Sequence, residues 1–166
     1  MTAFPVNPHR LDPYNNFKFR VILDGKVVPG VSKVSPLTRS TESVLWRDGT
    51  FANHFLTAPG PSSFCPLTLE RGITHDPTFE DWAELAYSPE GDAAMSLRNF
   101  RKDMRIDLLN QQGSVVLSYM VYRCWVCEYQ ALPELDANAT AVAIEKIVLH
   151  YEGFERDRAV AEPEET

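Results

Sequence analysis

From Lys102 to Gln130 the chain reads KDMRIDLLNQQGSVVLSYMVYRCWVCEYQ, two stretches rich in β-branched and aromatic residues on either side of Asn110-Gln-Gln-Gly113. Such runs around a turn segment predict an antiparallel hairpin. Under strict alternation Tyr119, Val121, Trp125, Cys127 and Tyr129 share one face of its second arm, and Met120, Tyr122, Cys124 and Val126 share the other. Both faces are mostly apolar, the pattern of a strand covered on two sides. A chain built around such a strand needs layers of sheet.

Other segments supply them. In FKFRVILD, Phe17, Phe19, Val21 and Leu23 alternate with polar residues as in a half-buried strand, and Asp24-Gly25 is a turn signal. VVPGVSKVSPL then returns as a second strand, interrupted by Pro29-Gly30 at an edge or bulge. FCPLTLERG is a further strand ended by Gly72, and AVAIEKIVLHYEGFE is a last strand whose apolar phase changes between Ile144 and Ile147. A bulge or burial on both faces accounts for that change. Between them Asp76 is placed to cap a helix with Pro77 at its first position. Phe79, Trp82, Ala83 and Ala86 follow at helical spacing, with Glu80, Asp81 and Glu84 off the stripe.

The polar, turn-rich stretch 38–63 predicts an extended hairpin with Asp48-Gly49 near its tip. Its apolar residues, Val44, Leu45, Trp46, Phe51, Phe55 and Leu56, have no obvious place in the core of a compact monomer. Such a hairpin needs something to lie against. The expected fold is mainly β: a small β-barrel or sandwich of two packed antiparallel sheets, roughly seven strands, with one flanking α-helix and the extended β-hairpin. The 166 residues form one domain, 1–166, with an N-terminal arm at 1–16 and a flexible tail at 156–166. Core and helix packing is expected from Phe17, Phe19, Val21, Phe79, Trp82 and Trp125.

Charge and motifs narrow the function. The net charge is -7 and no Lys/Arg run could track a phosphate backbone, so no specific nucleic-acid binding is expected. No stretch approaches the apolar length of a membrane span, and the first residues lack a leader pattern. With three cysteines, reduced thiols are the expectation.

Cys124-Trp-Val-Cys127 has the spacing of a zinc or redox pair, but residues three apart on a strand face opposite ways. A zinc site also needs two more ligands, and Cys65, His75 and His150 have no finger spacing. His75-Asp76 reads as the start of a helix, and no nucleotide-binding, nucleophile-elbow or zinc-protease motif occurs. The residues by themselves thus describe a β-rich assembly or binding module, with no catalytic residue, no metal, no cofactor and no enzymatic activity expected.

DPYNNFKFRVILDG, PGVSKVSPL, TESVLWRDG, LTLERGITHD, FRKDMRIDLLN and YRCWVCEYQALPELDANATAVAIEKIVLHYEGFERD, in that order and spacing, resemble the inner tube proteins of contractile tails. The resemblance runs from Asp12 to Asp157. It is strongest to tube proteins of the phage-tail-like contractile injection systems that bacteria build, and extends to the T4-type tail tube of contractile phages. It implies a structural subunit forming hexameric rings that stack into a hollow tube inside a contractile sheath, driven through a target envelope to deliver cargo. An alternative within the same particle is a tube-initiating or baseplate adaptor protein that forms single rings without polymerising.

The implied partners are further copies of the chain, the sheath protein, baseplate and tube-initiator proteins, and protein cargo in the lumen. The implied location is the bacterial cytoplasm during assembly, then the particle or virion tail. The resemblance also gives the hairpin a role in stacking, with candidate residues Glu42, Val44, Trp46, Arg47, Asp48, Phe51, Asn53, His54 and Phe55. LTAPGPSSFC departs from the pattern, because family members often carry basic residues there. That departure fits either a variant copy used beside a second tube paralogue, or stacking through apolar and hydrogen-bonded contacts.

Overall fold

The computed structural model describes residues 3–50 and 53–166. In chain order the elements are β1 (Phe19–Leu23), β2 (Lys26–Val27), β3 (Val31–Val34), β4 (Arg39–Trp46), β5 (Leu56–Phe64), β6 (Leu67–Gly72), α1 (Thr78–Ala86), β7 (Lys102–Leu109), β8 (Val115–Gln130), β9 (Ile144–His150) and β10 (Gly153–Arg156). One eight-stranded sheet runs β2-β1-β7-β8-β9-β6-β3, with β10 also on β8, and β4-β5 forms a separate two-stranded ribbon. Every pairing is antiparallel.

The 16-residue β8 makes two layers out of one sheet. Up to Cys124 it pairs with β7 and, over Tyr119–Tyr122, with β10; from Trp125 to Gln130 it pairs with β9. Strands β1, β2, β7 and β10 therefore lie in one layer, and β9, β6 and β3 in the other. The sheet stays open between β2 and β3, so the architecture is a sandwich and not a closed barrel. Val21 and Met104 from the first layer, Leu69 and Ile147 from the second, and Phe79 and Trp82 from α1 fill one core.

Strict alternation fails along β8. Val116 and Ser118 are buried, then Val121, then Cys124 and Val126. The interior phase slips where Arg123 adopts φ 53 and the β7 register shifts between Lys102 and Met104. This bulge turns Val121 and Cys124, three apart, toward the same core. The bulge amide of Arg123 donates to Asp103 Oδ1 at 2.9 Å, and its guanidinium pairs with Glu152 at 2.7 Å. A second shift between Val126 and Glu128 leaves Cys127 exposed.

In β9 no shift occurs against β6. Glu145, Ile147 and Leu149 alternate inward, so the phase change near Ile144 comes from a buried glutamate standing at a core position. Its partner is Arg71, also buried. The Arg71 guanidinium donates to Glu145, to Asp76 Oδ2 at 3.0 Å and to the Asp76 carbonyl at 2.6 Å, and lies 4.3 Å from the Phe79 ring centroid. This network ties β6, β9 and the start of α1 together.

Asp76 also accepts the Thr78 backbone N–H at 3.1 Å, but from one residue outside the helix: Pro77, expected at the first helical position, is itself the N-cap, and its carbonyl accepts the Asp81 amide at 2.8 Å. A second buried carboxylate, Asp107, accepts from Arg20 and Arg105, each at 2.7 Å, and from the Ser118 hydroxyl at 2.7 Å.

Two further expectations change. Phe17 is 62% exposed and outside the core, because the strand begins at Phe19; Val21, Phe79 and Trp82 are buried, and Phe19 and Trp125 half-buried. Pro29-Gly30 is a corner with Gly30 at φ 78, across which the chain leaves the layer of β2 and enters that of β3. The stretch after Arg156 reaches the arm through several hydrogen bonds. Glu162 accepts from the Val6 and Asn7 amides, Asn7 Nδ2 donates to the Pro163 carbonyl, and the Glu165 amide donates back to Asn7 Oδ1.

Candidate assembly interface

Strands β4 and β5 stand apart from the sandwich. They pair from Arg39↔Phe64 to Trp46↔Leu56, with a register shift between Thr41 and Ser43, and meet the sandwich at their base, where Phe64 packs on Tyr151 and Phe154. All eight residues of β4 are exposed. At its far end Val44, Leu45, Trp46 and Phe55 show about half of their surface or more, 49%, 61%, 49% and 64%. Large apolar side chains are thus exposed on both faces of the ribbon's end, Leu45 opposite Val44 and Trp46, as at protein interaction sites.

Local chemistry shapes the ribbon. Pro59 and Pro61 lie in β5, where they remove N–H donors from a strand that has only one neighbour. Gly60 sits where the ribbon bulges; a Cβ there would meet the Glu42 carbonyl oxygen and Val44 Cγ2, each at 3.1 Å. At the tip Asp48 Oδ1 accepts the Thr50 amide at 3.0 Å, the main cause holding the Asp48 carboxyl below its ordinary value. Thr41 and Ser62 hydroxyls meet across the strands at 2.7 Å.

The structure brings the sequence-derived candidates Glu42, Val44, Trp46, Arg47, Asp48, Asn53, His54 and Phe55 onto this ribbon and its tip, all exposed. Phe51 lies outside the described residues. Trp125, assigned to packing, stacks on His150 at 5.4 Å between ring centroids.

The cysteines do not converge. Cys124 is buried, its thiol donates to the Val121 carbonyl, and burial pushes its pKa up to about 12. Cys127 is exposed, with burial of part of its surroundings raising its pKa as well. Among the described residues no group of three or more His, Cys, Asp or Glu side chains is arranged to hold a metal ion. No helix among them is long and apolar enough to cross a membrane.

A second exposed feature escaped the sequence. The last part of β8 has β9 on one side and no strand on the other among the described residues. A groove of about 540 Å³ runs along that edge beneath α1, floored by Ala83, Trp125 and Tyr129 and rimmed by Glu80, Glu84 and Glu128. Helical periodicity shows only which stripe of α1 faces the core. The groove uses the adjoining flank, which depends on where β7 stops.

The T4-like virus tail tube protein gp19 family matches residues 15–155. Among solved structures, a chain of the sheath–tube complex, in the extended state, of an extracellular contractile injection system, PVC, is 23% identical with a TM-score of 0.72, over 87% of this chain and 91% of that one. A chain from the anti-feeding prophage cap, described as AFP tube terminating cap, is 23% identical with a TM-score of 0.73, over 89% and 93%. One from the AFP baseplate is 19% identical with a TM-score of 0.70, over 89% and 97%. At these identities the likeness is one of fold. No curated protein matches in sequence.

Proposed function

Because the chain belongs to the T4-like virus tail tube protein gp19 family, we propose that it is a structural subunit of the inner tube of a contractile particle, assembling as hexameric rings that stack through the β4–β5 ribbon. The observation that carries this is the ribbon itself: among the described residues its strands pair only with each other, with Val44, Leu45, Trp46 and Phe55 turned to solvent. An isolated two-stranded ribbon is marginal in water. Against a neighbouring ring it gains cover for its apolar end and partners for its open edges. The sheath then surrounds the stack, the baseplate nucleates it, and the lumen carries cargo on contraction.

Electron microscopy of the purified chain tests the reading. Stacked hollow tubes are the expected result, and deletion of residues 41–54 leaves a folded protein that no longer stacks. Tubes unchanged by that deletion would remove the ribbon from the contact. The similar fold of the AFP baseplate chain supports a second reading, an adaptor that initiates the tube. For it the same preparation stops at single rings. Monodisperse monomers sink both readings.

A further inference from the structure

The two flanks of α1 carry opposite chemistry. On one, Glu80, Glu84 and Tyr87 overhang the groove along the free edge of β8. Because successive strand residues point to alternate faces, a groove lined by Trp125 through Tyr129 follows the strand's edge. Its floor is apolar and its rim acidic. Neither Glu80 nor Glu84 has a hydrogen bond or ion pair among the described residues, and Glu128 reaches only Lys146, at 3.7 Å.

On the other flank, past Leu85, lies the loop before β7. There Arg98, Arg101 and Arg123 gather around Asp103 in a shallow cavity of about 340 Å³. At its tip Leu97 is 83% exposed, and the adjacent Arg98 has no hydrogen bond or ion pair among the described residues. At 100° per residue, Leu85 points roughly 160° from the centre of the groove-facing residues. Arg101 and Arg123 each pair with Glu152, at 3.9 and 2.7 Å, which leaves Arg98, among the described residues, as the open cation of this cluster; an apolar, acid-rimmed socket and an apolar-tipped plug carrying Arg98 thus stand on opposite sides of one helix.

We propose that the socket is filled by the plug of a second copy of this chain: Leu97 seats against Ala83, Trp125 and Tyr129, and Arg98 pairs with Glu84. The contact is head-to-tail, which is the kind that propagates around a ring when its rotation closes. It rests on the tube reading but is separate from the ribbon, which serves contacts between rings. Charge complementarity sets which copy docks where and disfavours groove-to-groove pairing.

Cys127 lies in the groove wall and is exposed, which supplies the test. In full-length protein carrying Cys65→Ser, Leu97→Cys is treated with diamide; two thiols give up two electrons and two protons to the reagent and one S–S bond forms between copies. A ladder of dimers and larger species on a non-reducing gel, lost when Cys127→Ser is added, is the expected result. No ladder, or one that persists without Cys127, overturns the proposal.

Independently, Glu84→Arg or Arg98→Glu alone lowers the ring fraction on gel filtration at least tenfold, and the two together restore it. Both residues are exposed, and unchanged melting temperatures show that the fold is intact. Rings that form normally in every variant overturn this contact while leaving the tube reading in place. Wild-type protein that forms no rings at all overturns both.

Discussion

Two antiparallel pairs in this molecule are both held by backbone ladders and have opposite fates. In β6–β9 the facing side chains Leu67, Leu69, Ile147 and Leu149 are at most 1% exposed. In β4–β5 every residue of β4 is exposed. Ladder bonds exchange for bonds to water at small net gain. The pairs differ in what lies on their faces: a second layer and α1 for one, solvent for the other. The sandwich covers its own apolar faces, whereas the ribbon leaves its apolar end to solvent.

Substitutions can widen or erase that contrast. The largest effect is expected at Arg71, whose loss strands Glu145 inside the core; Arg71→Ala should cost about 3–5 kcal/mol in denaturant melts, enough to unfold a marginal domain.

Next comes Asp107. Burial pushes its carboxyl up, but hydrogen bonds from Ser118, Arg20 and Arg105 outweigh this and leave it below its ordinary 3.8. A lowered folded-state pKa stabilises above the unfolded value and loses that contribution as pH falls through the folded one. Asp107→Asn should therefore cost about 2–3 kcal/mol at neutral pH and flatten the loss of stability on acidification below pH 3.8, read from thermal melts across pH.

Cys124→Ser buries a hydroxyl in place of a thiol and should cost about 1 kcal/mol, while Cys127→Ser costs close to nothing. A thiol titration should count Cys65 and Cys127 quickly and Cys124 only on unfolding, and rapid labelling of all three would contradict this burial.

Smallest on folding is Trp46→Ala at the ribbon's end, within about 0.5 kcal/mol. Its effect should fall on stacking, seen as shorter tubes or single rings by microscopy. A large loss of monomer stability would mean that the ribbon is part of the sandwich after all.

Much of this contrast is legible in the residues. The alternation in FKFRVILD, the Asn110–Gly113 turn, the Phe79/Trp82 stripe and the stranded apolar residues around Trp46 each point to the element that the structure contains. Three features escaped, for different reasons. A bulge such as the one at Arg123 depends on which neighbour ends where, so straight alternation assigns the wrong partners to Val121 and Cys124. Glu145 looked like a break in the pattern because its partner, Arg71, is far away in sequence. The groove beside α1 is defined by the absence of a strand, which no local pattern encodes.

Beta-8 runs uninterrupted through both layers, with its bend fixed at Arg123 by Asp103 and Glu152. A load applied to one layer is therefore carried into the other through covalent backbone, and not only across side-chain contacts that can slide. The chain also passes between the layers at Pro29-Gly30 and at Tyr151-Glu152, so loosening the Arg123 corner would weaken one of several covalent links while leaving the composition of the core untouched.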